Sequence, residues 1–196
     1  MKRILLTVEY DGTAYAGWQR QLNGLAVQQV LEETLSRACG EEIRVTGASR
    51  TDAGVHALGQ AVHFDTGSSI PPDKFPFVLN TLLPPDIRVH TGREVPQAFH
   101  ARFLSSGKTY TYRIVNSRHG SALGRNTHAH VPVPLDAEAM DRAAQTLPGT
   151  HDFAAFQASG GYRTSVSSRP WGGAVGPRAR RLPVATARTK ASSPSL

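Results

Sequence analysis

"ASRTDAGVHALGQAVHF", residues 48–64, decides how this sequence is interpreted. Its first part is polar and contains glycine, as loops do, whereas residues 60–66 are typical of a strand. Asp52 is the one acid of this loop, and Arg50 and His56 are close to it in sequence. A loop aspartate most often caps a turn. A carboxylate beside a cation can instead act as a nucleophile or a base, and the spacing alone leaves both interpretations open.

Predicted strands and helices alternate around this loop. Strands are predicted at residues 3–10, 43–47, 60–66, 86–95 and 107–115. Helices are predicted at residues 26–38, 73–83 and 136–147. In the first helix we expect Glu32 and Glu33 to face outward and Gly40 to end it. This order predicts an α+β fold with a sheet that carries helices on one face.

Composition limits the classes of function. The 196 residues suit one large domain or two small ones. The net charge is +7, but Lys/Arg and Asp/Glu balance within residues 1–152, so the whole excess lies in residues 153–196. Nucleic-acid binding therefore requires a local basic patch rather than a generally positive body. Cys39 is the only cysteine, which excludes an internal disulfide and a zinc site built from cysteines.

The sequence contains no motif typical of a cofactor-binding, metal-binding or secreted protein. The sequence has no P-loop, dinucleotide fingerprint or HExxH motif, so we expect no cofactor and no metal. The N-terminus acquires acids too early for a signal peptide, and no apolar run approaches the ~20 residues of a membrane span. The expectation is a cytoplasmic protein.

Two tyrosines allow more than one interpretation. In residues 107–115, alternation places Lys108, Tyr110 and Tyr112 on one face of the predicted strand. Such aromatics belong to a core in most proteins, but they also form platforms on which bases stack. Composition does not choose between these alternatives.

Four segments taken together carry a resemblance to a known family. They are "VEYDGTAYAGWQRQ" (residues 8–21), "ASRTDAGVHALGQAVHF" (48–64), "FHARFLSSGKTYTYRIVN" (99–116) and "GTHDFAAFQASG" (149–160). Their order resembles the tRNA pseudouridine synthase A family over about residues 1–166. The resemblance implies isomerisation of uridine to pseudouridine at positions 38–40 of the tRNA anticodon arm, by cofactor-free homodimers. It also implies two ferredoxin-like or RNA-recognition-motif-like halves around a mixed, mainly antiparallel sheet.

The resemblance also implies roles for individual residues. Asp52 matches the family's essential aspartate, and Arg50 matches the arginine that helps to turn the target base out of the stack. Tyr110 matches the tyrosine that packs against that base. His56 and Arg102 match positions on the substrate side of the site. The carboxylate would attack the ribose C1′, add to the uracil C6 or remove the C2′ proton, and the sequence leaves these routes open.

The last part of the sequence departs from the family. A segment like "GNGFLYxMVRxIxG", whose arginine reaches the catalytic aspartate, is expected after residue 166 but is not found. Residues 167–196 contain no acid and are rich in Pro, Arg, Ala and Ser, which predicts a disordered basic tail. We therefore expect a first half at residues 1–104 with the catalytic loop, and an incomplete second half at residues 105–166. A changed reading frame or a truncation near Val166 is the hypothesis for this departure.

The sequence is also compatible with two other functions. One is an RNA-binding remnant that is catalytically impaired because the family's C-terminal segment is missing. The other is a hydrolase that uses Asp52 and His56, supported by their spacing alone.

Overall fold

The computed structural model describes residues 1–147 and the backbones of residues 149–150 and 167–168. The described chain divides into two compact units, Met1–Thr111 and the residues from Tyr112 onward, and each is described by itself. The predicted boundary between residues 104 and 105 stays a prediction. The segment at residues 149–160 and the tail at 167–196 lie outside the described residues, apart from the two short backbone stretches.

The first unit is built from four strands and two helices in residues 2–95. In chain order they are β1 (Lys2–Tyr10), α1 (Val27–Cys39), β2 (Thr46–Gly47), β3 (Ala57–Thr66), α2 (Phe75–Leu82) and β4 (Ile87–Val95). The strands lie in the order β2-β3-β1-β4, and every neighbouring pair is antiparallel. This β-α-β-β-α-β arrangement is ferredoxin-like. The α+β class with an antiparallel sheet is therefore confirmed.

Alternation along β1 divides the side chains between the two sides of the sheet. Ile4, Leu6 and Val8 are fully buried in one large apolar core. That core also contains the apolar faces of both helices, including Leu31 of α1 and Phe75 of α2. We call this the helix side. Helix α1 ends as predicted, since Gly40 has the left-handed φ of 71° that closes the helix.

The other side, which we call the open side, has a smaller apolar cluster. It consists of Leu5, Ala48, Ala61, Val95 and Ala101, with Phe99 packed against it. The chain after β4, residues 96–104, lies on this cluster and supplies Ala101 and Phe99. Arg3 holds this segment in place, because it pairs with Asp65 at 2.6 Å and donates to the Phe99 carbonyl oxygen at 2.8 Å.

Glu32 does not face outward as predicted. Its side chain is 3% exposed and accepts a hydrogen bond from the Val45 N–H at 3.1 Å. In the same way, the Ser36 hydroxyl accepts from the Ile43 N–H at 2.9 Å. Because α1 satisfies these two backbone donors, only Thr46–Gly47 of the predicted strand at residues 43–47 pairs with β3.

The strand predicted at residues 107–115 is also wrong over most of its length. Residues 107–113 belong to no strand, and β5 (Ile114–Asn116) pairs with only the three residues of β6 (Ala129–Val131), in parallel. Alternation indicates which side chains would share a face, but a strand also needs a partner for its backbone groups.

The remaining described elements of the second unit are short. Helix α3 (Ala137–Ala144) begins at the predicted cap, where the Asp136 carboxylate accepts from the Ala139 N–H at 2.9 Å. Strand β7 (Gly149–Thr150) pairs antiparallel with β8 (Ser167–Ser168). No helix among the described residues is both long and apolar enough to cross a membrane.

Candidate active site

Asp52 lies in a loop that a second loop holds in place. We call residues 48–56 the aspartate loop and residues 11–18 the supporting loop. The aspartate loop is anchored to β3 at its start, where the Ala48 N–H donates to the Ala61 carbonyl oxygen at 2.8 Å. Three further contacts join it to the supporting loop and to the end of β1: the Trp18 N–H to the Thr51 oxygen (2.9 Å), the Gly54 N–H to the Tyr15 oxygen (3.3 Å), and the Tyr10 hydroxyl with the Thr51 hydroxyl (2.8 Å).

Two glycines allow the loops to approach this closely. Gly17 has a φ of 92°, and a Cβ atom there would lie 2.6 Å from the Thr51 carbonyl oxygen. A Cβ atom on Gly12 would overlap the carbonyl oxygen of Val55. Side chains at these positions would push the two loops apart. The backbone on both sides of Asp52 is therefore fixed by direct contact with the supporting loop.

The loop presents Asp52 to solvent. The Val55 N–H donates to the Asp52 carbonyl oxygen at 3.2 Å and closes a turn, while the Asp52 side chain is exposed. Arg50 is exposed as well. Within the described part of the chain, no ion pair joins Asp52 to Arg50 or to another cation. Asp52 can thus be reached by a large substrate from outside.

His56 is bound to the supporting loop. Its Nδ1 atom lies 3.0 Å from Asp11 Oδ1 and 3.3 Å from the Gly12 nitrogen. With a proton on Nδ1 the ring donates to Asp11, and without one it accepts from the Gly12 N–H. Hydrogen bonds from the Thr13 hydroxyl and N–H, together with His56, hold the pKa of Asp11 below its usual range. Over residues 1–147 no hydrogen bond or ion pair joins His56 to Asp52, so the geometry gives the hydrolase hypothesis no support.

Tyr110 is electrostatically coupled to the base of the aspartate loop. Burial raises the pKa of Tyr10 to about 12, the hydrogen bond with Thr51 opposes this, and the nearby Tyr110 adds to the rise. Tyr110 itself is 47% exposed. Tyr10 in turn is bonded to Thr51, the residue before Asp52.

Arg102 extends from the segment at residues 96–104. It is exposed, and the residue before it, Ala101, is buried in the same cluster as Ala48, where the aspartate loop begins. The Ala101 N–H donates to Nδ1 of the buried His63 at 3.2 Å. Burial, with the charges of His100 and Arg3, lowers the pKa of His63 to about 4. His63 is thus neutral near pH 7 and able to accept this bond.

Sequence reasoning did not identify the residues that hold the site together. Tyr10, Gly17 and His63 act through contacts with residues more than 30 positions away. The only local signal is the alternation in β3, which places His63 on the opposite side from Val62 and Phe64. Among the described residues no three His, Cys, Asp or Glu side chains come together as metal ligands. A surface depression of about 650 Å³ between α2 and β4 contains none of the residues predicted for the site.

Comparison with known proteins identifies what this arrangement resembles. A profile of the tRNA pseudouridine synthase family matches residues 6–104, which include both loops and Arg102. The chain is 51% identical over 172 residues to tRNA pseudouridine synthase A of Ruminiclostridium cellulolyticum, which covers 88% of this chain and 70% of that relative. It is 47% identical to the enzyme of the same name from Thermoanaerobacter sp. (strain X514) and 49% identical to that of Acetivibrio thermocellus. Each of these matches covers 85% of this chain and 68% of the relative.

Proposed function

The chain belongs to the tRNA pseudouridine synthase family, and we propose that it isomerises uridine to pseudouridine in the anticodon arm of tRNA, at positions 38–40. The observation that carries this proposal is the aspartate loop. It lies within the family match, its backbone is fixed by the supporting loop, and it presents Asp52 to the exterior.

The reaction fits a site built around one carboxylate. The C1′–N1 glycosidic bond breaks, the uracil rotates, and a new bond joins C1′ to C5, which releases its proton while N1 takes one up. This isomerisation needs no redox step and no group donor. Asp52 would attack C1′, add to the uracil C6 or remove the C2′ proton. Each route requires a carboxylate that reaches a nucleotide, and the exposure of Asp52 meets this requirement.

The target uridine must leave its stack before it reaches Asp52. Extrusion costs a few kcal/mol, and stacking on an aromatic ring returns ~1–3 kcal/mol. We assign this stacking to Tyr110, and we assign to Arg50 the task of holding the extruded nucleotide beside Asp52. Arg102 would contact a phosphate, and His56 would approach the substrate from the aspartate loop while Asp11 and Gly12 hold its Nδ1 side.

Affinity for tRNA would come from a local group of exposed cations. Arg50, Arg102 and Lys108 are exposed in the first unit. Because acids and bases balance over residues 1–152, this local group rather than the net charge would contact the phosphates. We further propose a homodimer that acts in the cytoplasm without a cofactor. Analytical ultracentrifugation of the purified chain tests the dimer.

A second candidate is a protein that binds RNA but does not catalyse the isomerisation of uridine. It is favoured by the observation that no cation of the described residues lies within ion-pair distance of Asp52. Such a protein would bind an anticodon arm and leave its uridines unchanged.

One experiment separates these candidates. The purified chain is incubated with an unmodified tRNA labelled with tritium at uridine C5, and pseudouridine is mapped along the product. The control tRNA has cytidine in place of uridine at positions 38–40. We expect tritium release and pseudouridine only from the first tRNA. Binding without release would favour the second candidate, and pseudouridine at other positions would overturn the assigned target.

A further inference from the structure

The segment at residues 96–104 exposes an aromatic ring next to an arginine. Phe103 is 72% exposed, and its ring stacks on that of His100, with ring centres 4.2 Å apart and planes inclined by 25°. His100 therefore covers one face of the Phe103 ring and leaves the other toward solvent. Arg102 precedes Phe103 and is exposed as well.

The backbone that carries this ring is fixed. Arg3 donates to the carbonyl oxygen of Phe99, and the Ala101 N–H donates to His63. The N–H groups of Phe103 and Leu104 both donate to the His100 carbonyl oxygen, at 3.2 and 2.9 Å, which closes a tight turn. A ring held in this way loses little conformational entropy when a ligand stacks on it.

The ring also belongs to the part of the molecule that carries Asp52. Ala48 and Ala101 are buried in one cluster on the open side of the sheet. Asp52 lies four residues after Ala48, and four residues of chain span at most about 14 Å. Phe103 lies two residues after Ala101, and two residues span at most about 7 Å. An RNA that brings a uridine to Asp52 can therefore reach Phe103 with a nucleotide a few positions away from that uridine.

We propose that Phe103, backed by His100, is a stacking site for a second unpaired base of the tRNA, distinct from the uridine that reacts. This inference rests on the proposed function. A single exposed phenylalanine is ordinary on a protein surface. The fixed turn, the ring behind Phe103, the adjacent Arg102 and the shared cluster with the aspartate loop distinguish this one. Nucleobases stack on such rings whatever their identity, so the site adds affinity and orientation rather than sequence specificity.

The chain contains a matched control for this proposal. Phe77 of α2 is 69% exposed, close to the value for Phe103, but its neighbour is Lys74, whose Nζ atom lies 5.4 Å from the ring centre. Phe77 lies on a helix that packs on the helix side of the sheet. Removing either ring uncovers a similar apolar surface, so a difference between the two variants reports on the RNA.

The test measures binding of a fluorescent anticodon-arm RNA to the full chain carrying Asp52→Asn, so that the RNA is not altered during the measurement. Adding Phe103→Ala should weaken binding by about 5- to 150-fold, since one stacked base contributes ~1–3 kcal/mol. Phe103→Trp should retain the affinity, Phe103→Leu should lose it, and Phe77→Ala should stay within about twofold. Circular dichroism melting checks that each variant folds.

A scan of abasic sites identifies the base. Each unpaired nucleotide of the arm is made abasic in turn, and the effect of Phe103→Ala is measured again. At one position the effect should vanish, because the stacked base is already missing. The proposal is overturned by binding of Phe103→Ala within twofold of the parent, by retained affinity in Phe103→Leu, or by an effect that persists at every abasic position.

The proposed function can fail separately. If the chain with Asp52 forms pseudouridine and Phe103→Ala changes neither binding nor KM, the stacking site is wrong and the function stands. If Phe103→Ala weakens binding of a chain that forms no pseudouridine, the stacking site stands and the function is wrong. A chain that binds no tRNA overturns both.

Discussion

The two sides of the four-stranded sheet differ in what covers them. The helix side is closed by α1 and α2 over a core that includes fully buried Ile4, Leu6 and Phe75. The open side has a cluster of five small or medium side chains, and the aspartate loop and residues 96–104 both begin from it. This difference separates most of the buried core from the surface that carries Phe103, while Tyr10 and Trp18 of the helix-side core also bond to the aspartate loop. One side provides most of the buried apolar surface, and the other presents exposed polar and aromatic groups on a fixed backbone.

The largest expected effect is on the helix side. Phe64 of β3 is 1% exposed and meets Phe75 of α2 edge to face, with ring centres 5.4 Å apart. Phe64→Ala should lower the free energy of unfolding by about 3–5 kcal/mol, as large core truncations do. Urea denaturation at pH 7 measures this effect. Phe103→Ala, on the open side, should change the same quantity by less than about 0.5 kcal/mol. Similar losses in both variants would contradict the separation of the two sides.

A smaller effect, which depends on pH, is expected from His63. Its pKa is lowered to about 4 in the folded protein from 6.5, so the unfolded chain binds the proton more readily between these values. The free energy of unfolding should be highest above pH 6.5 and should decrease by up to about 3 kcal/mol as the pH falls toward 4. Urea denaturation at several pH values from 7 to 4.5 measures the slope.

The control for this prediction is His63→Asn, whose amide oxygen can accept from the Ala101 N–H without titrating. The free energy of unfolding of this variant should change clearly less between pH 7 and 4.5 than that of the parent protein. Asp65 and Asp11 have lowered pKa values, so the stability they contribute is lost mainly below this window. An equal change of the free energy of unfolding with pH in both proteins would show that His63 does not cause the pH dependence.

A third effect concerns the contact between the two loops. Gly17→Ala places a Cβ atom 2.6 Å from the Thr51 carbonyl oxygen, at a φ of 92°. Strain and displacement should cost about 1–3 kcal/mol of stability and should move the backbone next to Asp52. Gly40→Ala is the control, because at a φ of 71° it introduces similar backbone strain but its Cβ atom would meet no atom within 4 Å. Turnover of tRNA should fall in Gly17→Ala and stay near the parent value in Gly40→Ala. Equal turnover would show that the supporting loop does not position Asp52.

Local patterns in the sequence predicted part of this fold and part of the site. The spacing in α1 and its Gly40 end predicted the helix, and the apolar runs predicted β1 and β4, because each signal lies within a few adjacent residues. The "RTDAGVH" motif located Asp52 through its family resemblance. The sequence did not indicate how Asp52 is held, since the bonds from Trp18 and Tyr10 to Thr51 join residues more than 30 positions apart.

The wrong predictions have related physical causes. The helical pattern of α1 predicts that Glu32 faces outward, but its side chain is buried because it accepts a hydrogen bond from the Val45 N–H. Since this N–H is already bonded to α1, only Thr46–Gly47 of the strand predicted at residues 43–47 pairs with β3. The tyrosines at 110 and 112 alternate as strand residues do, yet no strand includes either of them, because pairing depends on partners elsewhere in the chain. The predicted tail lies outside the described residues and stays a prediction.

Substitution of Asp52 tests the central claim most directly. Asp52→Asn keeps the size of the side chain and removes the carboxylate from an exposed position. Tritium release from uridine-labelled tRNA should fall by about 10³-fold or more, as it does when an enzyme loses its nucleophile or base. The free energy of unfolding and the affinity for tRNA should remain near the parent values. The parent chain must be active for this comparison. If Asp52→Asn then releases tritium at the rate of the parent chain, the assignment of the chemistry to the aspartate loop is contradicted.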